Sequence, residues 1–293
     1  MRTLDHCPAC GSNDAEIVAR LDDERQRRFL AYSEIKYGGL LDNWLDDVPP
    51  FVLRCWQCGH CWYKHQPSAE QLGQMYAAGR RLLPEVKLSR EPSAPMNDEM
   101  ARLRKLMRQS AKRPSLLDYG SGYGRWARAA MMEGFEVTAY EPAVTRGGEA
   151  EDPGFELVHD LAELQGRRFN LINLEQVLEH VPDPLTVLLQ VKDFCLPAAV
   201  IRITVPNILR APEGRGVWES WPFDGTSPHI LAPFEHLHGF TPRSLFKLLE
   251  RAGFKRLALD PLIYTYPLLT LRYVIGQLWP TIGHTFALAQ LRS

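Results

Sequence analysis

Leu116-Leu117-Asp118-Tyr119-Gly120-Ser121-Gly122-Tyr123-Gly124 runs from a short apolar segment into glycines spaced by single residues, and this stretch decides the fold class. The apolar part reads as a buried strand, and Tyr123 to Glu133 as the amphipathic helix that follows it. Glycines at the join remove the side chains that would hold a ligand away from the backbone and from the helix amino end. The spacing is not the dinucleotide fingerprint G-x-G-x-x-G, because Gly124 falls one residue early and the bulky Arg125 and Trp126 follow.

Downstream the same alternation repeats. Phe135 to Tyr140 is apolar and Ala143 to Ala150 helical in pattern; Phe155 to Val158 and Phe169 to Leu174 are again short and apolar. A helix is expected from Pro184 to Phe194 and a strand from Ala198 to Val205. Strand and helix in alternation predict an α/β fold, a parallel sheet with helices on both faces. Ligands of such sheets bind beyond the carboxyl ends of the strands, so residues just after strands carry the functional weight. Glu141 is one of them: roughly 20 residues past the glycines, its carboxylate is placed to accept both ribose hydroxyls of an adenosine. The alternative for Glu141 is an acidic group at a helix amino end.

Upstream, five of the six cysteines lie within the first 61 residues, as Cys7-Pro-Ala-Cys10 and Cys55-Trp-Gln-Cys58-Gly-His-Cys61. Two C-x-x-C knuckles let four thiolates converge on one ion, which points to Cys7, Cys10, Cys55 and Cys58 as the ligands of a closed structural zinc site. Cys61, His60 and His6 are spare donors nearby, and two disulfides are the competing reading, disfavoured in a reducing compartment. Between the knuckles, Arg20 to Leu45 reads as a helical insertion. The expected organisation is a zinc-ribbon domain over 1–67, a helical linker over 68–113 and an α/β domain over 114–293. A short helix is expected over Ala69 to Tyr76 and another from near Asn97. From Gly79 to Arg113 ten Lys or Arg face four Asp or Glu, which reads as a solvated helix face.

With 34 Lys and Arg against 35 Asp and Glu the net charge is -1, so no overall basic field recruits nucleic acid. The opening residues carry no apolar stretch of the signal-peptide kind, which points to the cytoplasm. Pro261 to Leu291 is weakly charged, but prolines and glycines interrupt it, and no membrane span is expected there. It is read instead as a hairpin insertion before a last strand, Thr285 to Leu291, running antiparallel beside Phe254 to Leu259.

On these residues the chain resembles the class I S-adenosylmethionine-dependent methyltransferases, especially the group with an N-terminal zinc ribbon found among sugar and natural-product methyltransferases. The glycine stretch is similar to the family's cofactor loop. Further similarity lies in Glu175-Gln176-Val177-Leu178-Glu179-His180-Val181-Pro182-Asp183-Pro184, in Thr204-Val205-Pro206-Asn207, and in Glu235-His236-Leu237-His238-Gly239-Phe240-Thr241-Pro242. The resemblance implies a Rossmann-like seven-stranded sheet. It also implies that Asp118, Gly120, Gly122 and Gly124 shape the pocket for the methionine part of the cofactor, that Glu141 holds its ribose, that Asp160 and the Leu161 backbone meet the adenine, and that Glu175 lies beside the transferred methyl group.

Methyl transfer from a sulfonium is an in-line displacement, in which the protein chiefly aligns the reactants and excludes water. For an alcohol acceptor a histidine near neutral pKa can take the proton. His180, His229, His236 and His238 all lie at the expected mouth; His236, on a loop, is expected to take the proton and His180 to position the acceptor. The connection from Pro206 to Gly239, with Trp218, Trp221, Phe223 and Phe234, reads either as a lid whose rings stack on a sugar-like acceptor or as a loop packed on its own aromatics. The expected reaction is O-methylation of a small-molecule or carbohydrate-like acceptor. RNA methylation and a zinc-binding scaffold without activity are the rivals.

Overall fold

The computed structural model describes residues 2–42, 44, 50–82, 91–107, 112–143, 154–209, 217–219, 221–224, 227–257 and 284–292. The central sheet has seven strands: β6 (Ser115–Tyr119), β7 (Glu136–Tyr140), β8 (Glu156–Val158), β9 (Phe169–Glu175), β10 (Cys195–Pro206), β14 (Phe254–Arg256) and β15 (His284–Leu291). Their order across the sheet is β14-β15-β10-β9-β6-β7-β8. β6 to β10 pair in parallel, while β15 lies antiparallel between β10 and β14. This is the Rossmann-like methyltransferase sheet expected, including its reversed last strand. The segments read as a helix over Ala143 to Ala150 and as a hairpin insertion before β15 fall, for the most part, outside the described residues.

Alternation along the strands sorts side chains onto two faces. Leu117, Ile172 and Ile201 face a core shared with Leu188, Leu245 and Leu248, which lie on the helices Pro184–Asp193 and Pro242–Arg251. Leu116, Leu171 and Val200 pack with Met100, Leu103, Ala127 and Ala130, from the helices α3 (Ala94–Leu106) and α4 (Arg125–Met132). Each fully buried aliphatic side chain there contributes roughly 1.5–3 kcal/mol. α3 starts earlier than the sequence suggests, because Pro95 occupies a first-turn position where its missing N–H costs nothing.

The amino-terminal region forms a separate sheet of β2 (Ala15–Arg20), β3 (Phe51–Cys55) and β4 (Cys61–Tyr63), completed by β13 (His238–Gly239). β13 comes from the far end of the chain and pairs His238 with Trp62 and Gly239 with Cys61. Between β2 and β3 the insertion contains α1 (Asp23–Tyr37). Asp22 caps it by accepting from the Arg25 amide, and Gly38 ends it at φ 61, where a residue without Cβ is unstrained. After the ribbon, α2 (Ala69–Leu82) runs longer than the short helix expected. Among the described residues no helix is long and apolar enough to cross a membrane.

Candidate active site and cysteine cluster

The glycine loop adopts backbone that side chains resist: Gly120, Gly122 and Gly124 have φ of 76°, 56° and 75°. A Cβ on Gly120 would meet Val177 Cγ2 at 2.8 Å, whereas nothing lies within 4 Å of one on Gly122. The amides of Gly120 and Ser121 donate to the Tyr140 carbonyl at 2.8 and 2.9 Å, joining the loop to the end of β7. Glu141 follows directly. Its buried carboxylate accepts from the Gly122 and Ala143 amides at 2.9 and 3.0 Å, so loop and carboxylate form one unit.

Asp118 is buried at the end of β6. One oxygen accepts from Asn173 Nδ2 at 2.8 Å; the other, Oδ2, has no hydrogen-bond partner. Burial raises its pKa to about 6, against the opposing pull of Asn173 and Arg202. A buried, unpartnered carboxylate oxygen beside a glycine cradle with open space suits the ammonium and backbone-like portion of an amino-acid cofactor. These residues fit S-adenosylmethionine. Glu175, ending β9, receives Arg202 Nη1 at 2.6 Å. Asp160 is exposed and caps the short turn Leu161–Leu164, accepting from the Ala162 amide at 2.9 Å; its charge reaches Tyr140, next to Glu141.

The charge of Glu175 acts on both Asp118 and Glu179, so the acidic groups and the histidine turn meet at one end of β9. There the rings of His180 and His236 stand edge to face with centroids 4.5 Å apart. His236 Nδ1 lies 2.6 Å from the Ile230 carbonyl, and His180 Nδ1 lies 2.9 Å from the Glu235 carbonyl and 3.1 Å from the Tyr76 hydroxyl. A carbonyl only accepts, so each Nδ1 carries a proton, and for His236 this leaves Nε2 as the nitrogen that can act as a base. Burial holds the pKa of His236 below the usual histidine value, which keeps it neutral and able to take a proton.

Several neighbours of this pair are invisible in the sequence. Glu235 is held by Lys36 Nζ and the Tyr32 hydroxyl, each at 2.7 Å. The helical insertion therefore braces the loop that carries His236. Glu179 is buried with neither carboxylate oxygen hydrogen-bonded, 4.0 Å from His180 Nε2, and burial together with Glu175 raises its pKa to about 8. Its carbonyl accepts from the Leu237 and His238 amides at 2.7 and 3.2 Å, tying the two histidine-bearing segments together.

The other two histidines are engaged elsewhere. His229 uses one ring nitrogen on the Val217 carbonyl and the other on the Leu231 amide. His238 is buried against His60 at 3.3 Å. Two of the loop aromatics pack inward rather than standing open for stacking. Trp221 Nε1 donates to the Leu231 carbonyl at 2.9 Å, and Phe234 meets Phe29 and Trp44.

In the ribbon, the sulfurs of Cys7, Cys10, Cys55 and Cys58 all lie within 4.8 Å of one another. Cys7 and Cys58 are 3.6 Å apart and Cys10 and Cys55 3.5 Å, far beyond a disulfide bond. A tetrahedron with metal–sulfur bonds of about 2.3 Å has edges of about 3.8 Å, so the cluster fits a zinc ribbon. Cys61 and His60 stand outside it: Cys61 Sγ points to the Gly59 carbonyl and His60 to His238.

A methyltransferase-domain family model matches residues 93–259. The chain belongs to this family of methyltransferase domains. No curated protein matches it. Among solved structures it is similar to a Listeria monocytogenes protein described as a putative S-adenosylmethionine-dependent methyltransferase (14% identity, 67% of this chain and 100% of that one, TM-score 0.42). It is also similar to the 1,6-didemethyltoxoflavin-N1-methyltransferase of Burkholderia thailandensis (17%, 83% and 99%, 0.43) and to the CcbJ methyltransferase of Streptomyces caelestis (14%, 70% and 100%, 0.44).

Proposed function

We propose that the protein transfers a methyl group from S-adenosylmethionine to a hydroxyl of a small-molecule or saccharide acceptor, with His236 taking the proton and His180 positioning the acceptor. The observation that carries this reading is His236, whose Nδ1 is committed to the Ile230 carbonyl so that Nε2 is left as a base, and whose ring stands edge to face with His180 at 4.5 Å. The cofactor supplies an electrophilic methyl group. Asp118 is assigned to its amino-acid end, with Gly120, Gly122 and Gly124 giving the backbone room to approach, and Glu175 to the neighbourhood of the transferred methyl group. Glu141 is assigned to the ribose, and Asp160 with the Leu161 backbone to the adenine. An acceptor hydroxyl against His236 Nε2 passes its proton there as oxygen attacks, and Tyr32, Lys36 and Glu235 hold the loop still.

Within the same reading, Cys7, Cys10, Cys55 and Cys58 bind one zinc ion. Four thiolates leave no open position for water, so the ion's role is structural. The ribbon over 1–67, the linker over 68–113 and the catalytic domain over 114–293 are its units, and the cytoplasm its compartment. Nucleic acid is not the expected partner. The test is to locate the methyl group in the product by mass spectrometry and NMR. A methyl on oxygen supports the reading, and one on nitrogen or carbon replaces it.

A further inference from the structure

Asp118, Asn173 and Arg202 form a polar row across three adjacent strands, since Asp118 and Arg202 are each register partners of Asn173. Their neighbours two residues earlier, Leu116, Leu171 and Val200, are buried and apolar, so this row is a break in the face that packs on α3 and α4. Arg202 is wholly buried. Its Nε donates to Glu99 of α3 at 2.6 Å, and its Nη1 to Asn173 at 2.8 Å and to Glu175 at 2.6 Å. The guanidinium lies 4.0 Å from the centroid of Trp126 on α4.

A buried arginine with two carboxylates is an expensive arrangement to build, and apolar residues of similar volume would hold two helices to a sheet at no such cost. Helix attachment alone therefore does not account for it. What the row does achieve lies at its other end: Asn173, fixed by Arg202 through its oxygen, presents its amide to Asp118 and leaves Asp118 Oδ2 without a partner. From β9 Glu175, from β10 Arg202 and behind it Glu99 of α3 are the charged groups facing Asp118, and from α4 the Ala127 backbone lies toward it without a hydrogen bond to Oδ2. Glu175 repels charge on Asp118 and Arg202 favours it. Without the guanidinium, the repulsion from Glu175 would act on Asp118 unopposed by Arg202.

We propose that Arg202 is a positioning residue of the cofactor site, the fixed cation that through Asn173 orients Asp118 for the cofactor's ammonium group and that ties α3 to the site through Glu99. This rests on the cofactor assignment of Asp118. The consequence is a particular pH dependence of binding. Asp118 protonates near pH 6 in the free protein, so affinity for a cationic amino-acid group falls below that pH. Loss of Arg202 moves the fall to higher pH.

The test uses the full chain and S-adenosylhomocysteine as the probe, with affinity measured by calorimetry between about pH 5 and pH 8. Arg202→Met is combined with Glu99→Gln, which avoids stranding a buried carboxylate. Asn173→Leu is the second variant, because it cuts the row while leaving both ion pairs in place. The expected result is a midpoint about one pH unit higher than wild type in both, with affinity near pH 6.5 reduced by about tenfold and largely regained near pH 8. A wild-type midpoint in the Arg202→Met, Glu99→Gln protein, whatever Asn173→Leu does, or a loss of affinity equal at every pH, would overturn the proposal and leave Arg202 as packing. No binding to wild-type protein would instead reject the cofactor reading on which it rests.

Discussion

His180 and His236 meet edge to face at 4.5 Å, and each spends its Nδ1 proton on a main-chain carbonyl. The two residues are 56 positions apart in the chain, and the Glu179 carbonyl, bonded to the Leu237 and His238 amides, is what brings them together. Burial lowers the pKa of His236. Replacing it with alanine should lower turnover by about 100-fold to 10,000-fold while leaving S-adenosylhomocysteine affinity nearly unchanged. Steady-state kinetics beside calorimetry reads both. Wild-type turnover eliminates His236 as the base, and lost cofactor affinity marks it as structural.

Glu179 sets a pH dependence of stability. Its folded pKa, raised to about 8, lies above its unfolded value. The neutral form is therefore the one the fold accommodates, and its contribution is fully present below the unfolded pKa and lost as pH rises through about 8. Glu179→Gln should flatten this loss. In denaturant melts without ligand the variant should gain on wild type by up to a few kcal/mol between about pH 5 and pH 9. Parallel pH profiles would show that the carboxyl has a partner in solution.

Gly120 allows a direct check of the loop. With φ at 76° and Val177 Cγ2 2.8 Å from a built Cβ, Gly120→Ala combines backbone strain with a clash. A stability loss of about 1–3 kcal/mol and weaker cofactor binding are expected. Thermal melts with and without S-adenosylhomocysteine measure both. An unchanged melting temperature would mean that the loop relaxes freely.

Zinc should matter beyond the ribbon. β4 begins three residues after Cys58 and pairs with β13, and Thr241 donates its hydroxyl to the Cys58 carbonyl at 2.8 Å. The segment bearing His236 thus leans on the cysteine cluster. Elemental analysis should give one zinc per chain. Chelation should lower turnover more than cofactor affinity, because among the described residues no hydrogen bond joins the glycine loop to the ribbon. Far less than one zinc per chain in fresh protein rejects the metal.

Much of this architecture is legible in the sequence because its signals are local. The glycine spacing, Glu141 after the second strand and the two C-x-x-C knuckles each sit within a few residues. What stayed hidden depends on contacts across the chain. β13 has two residues and no pattern of its own, and it exists because β4 offers an edge. Lys36 and Tyr32 find Glu235 only after some 200 residues have folded between them. Arg202 and Asn173 are polar residues inside strands that read as apolar, and the sequence reading passed over this local contradiction, which is of the kind that marks a functional or strained place.

The central claim is methyl transfer from S-adenosylmethionine to a small hydroxylated acceptor. Its most direct test is S-adenosylhomocysteine release by the zinc-loaded full chain across a panel of sugars, nucleotide sugars, phenols and RNA. The account predicts turnover with a hydroxylated small molecule and none with the matching deoxy analogue. Release with RNA alone would contradict it, and so would no release from any acceptor by protein that binds the cofactor.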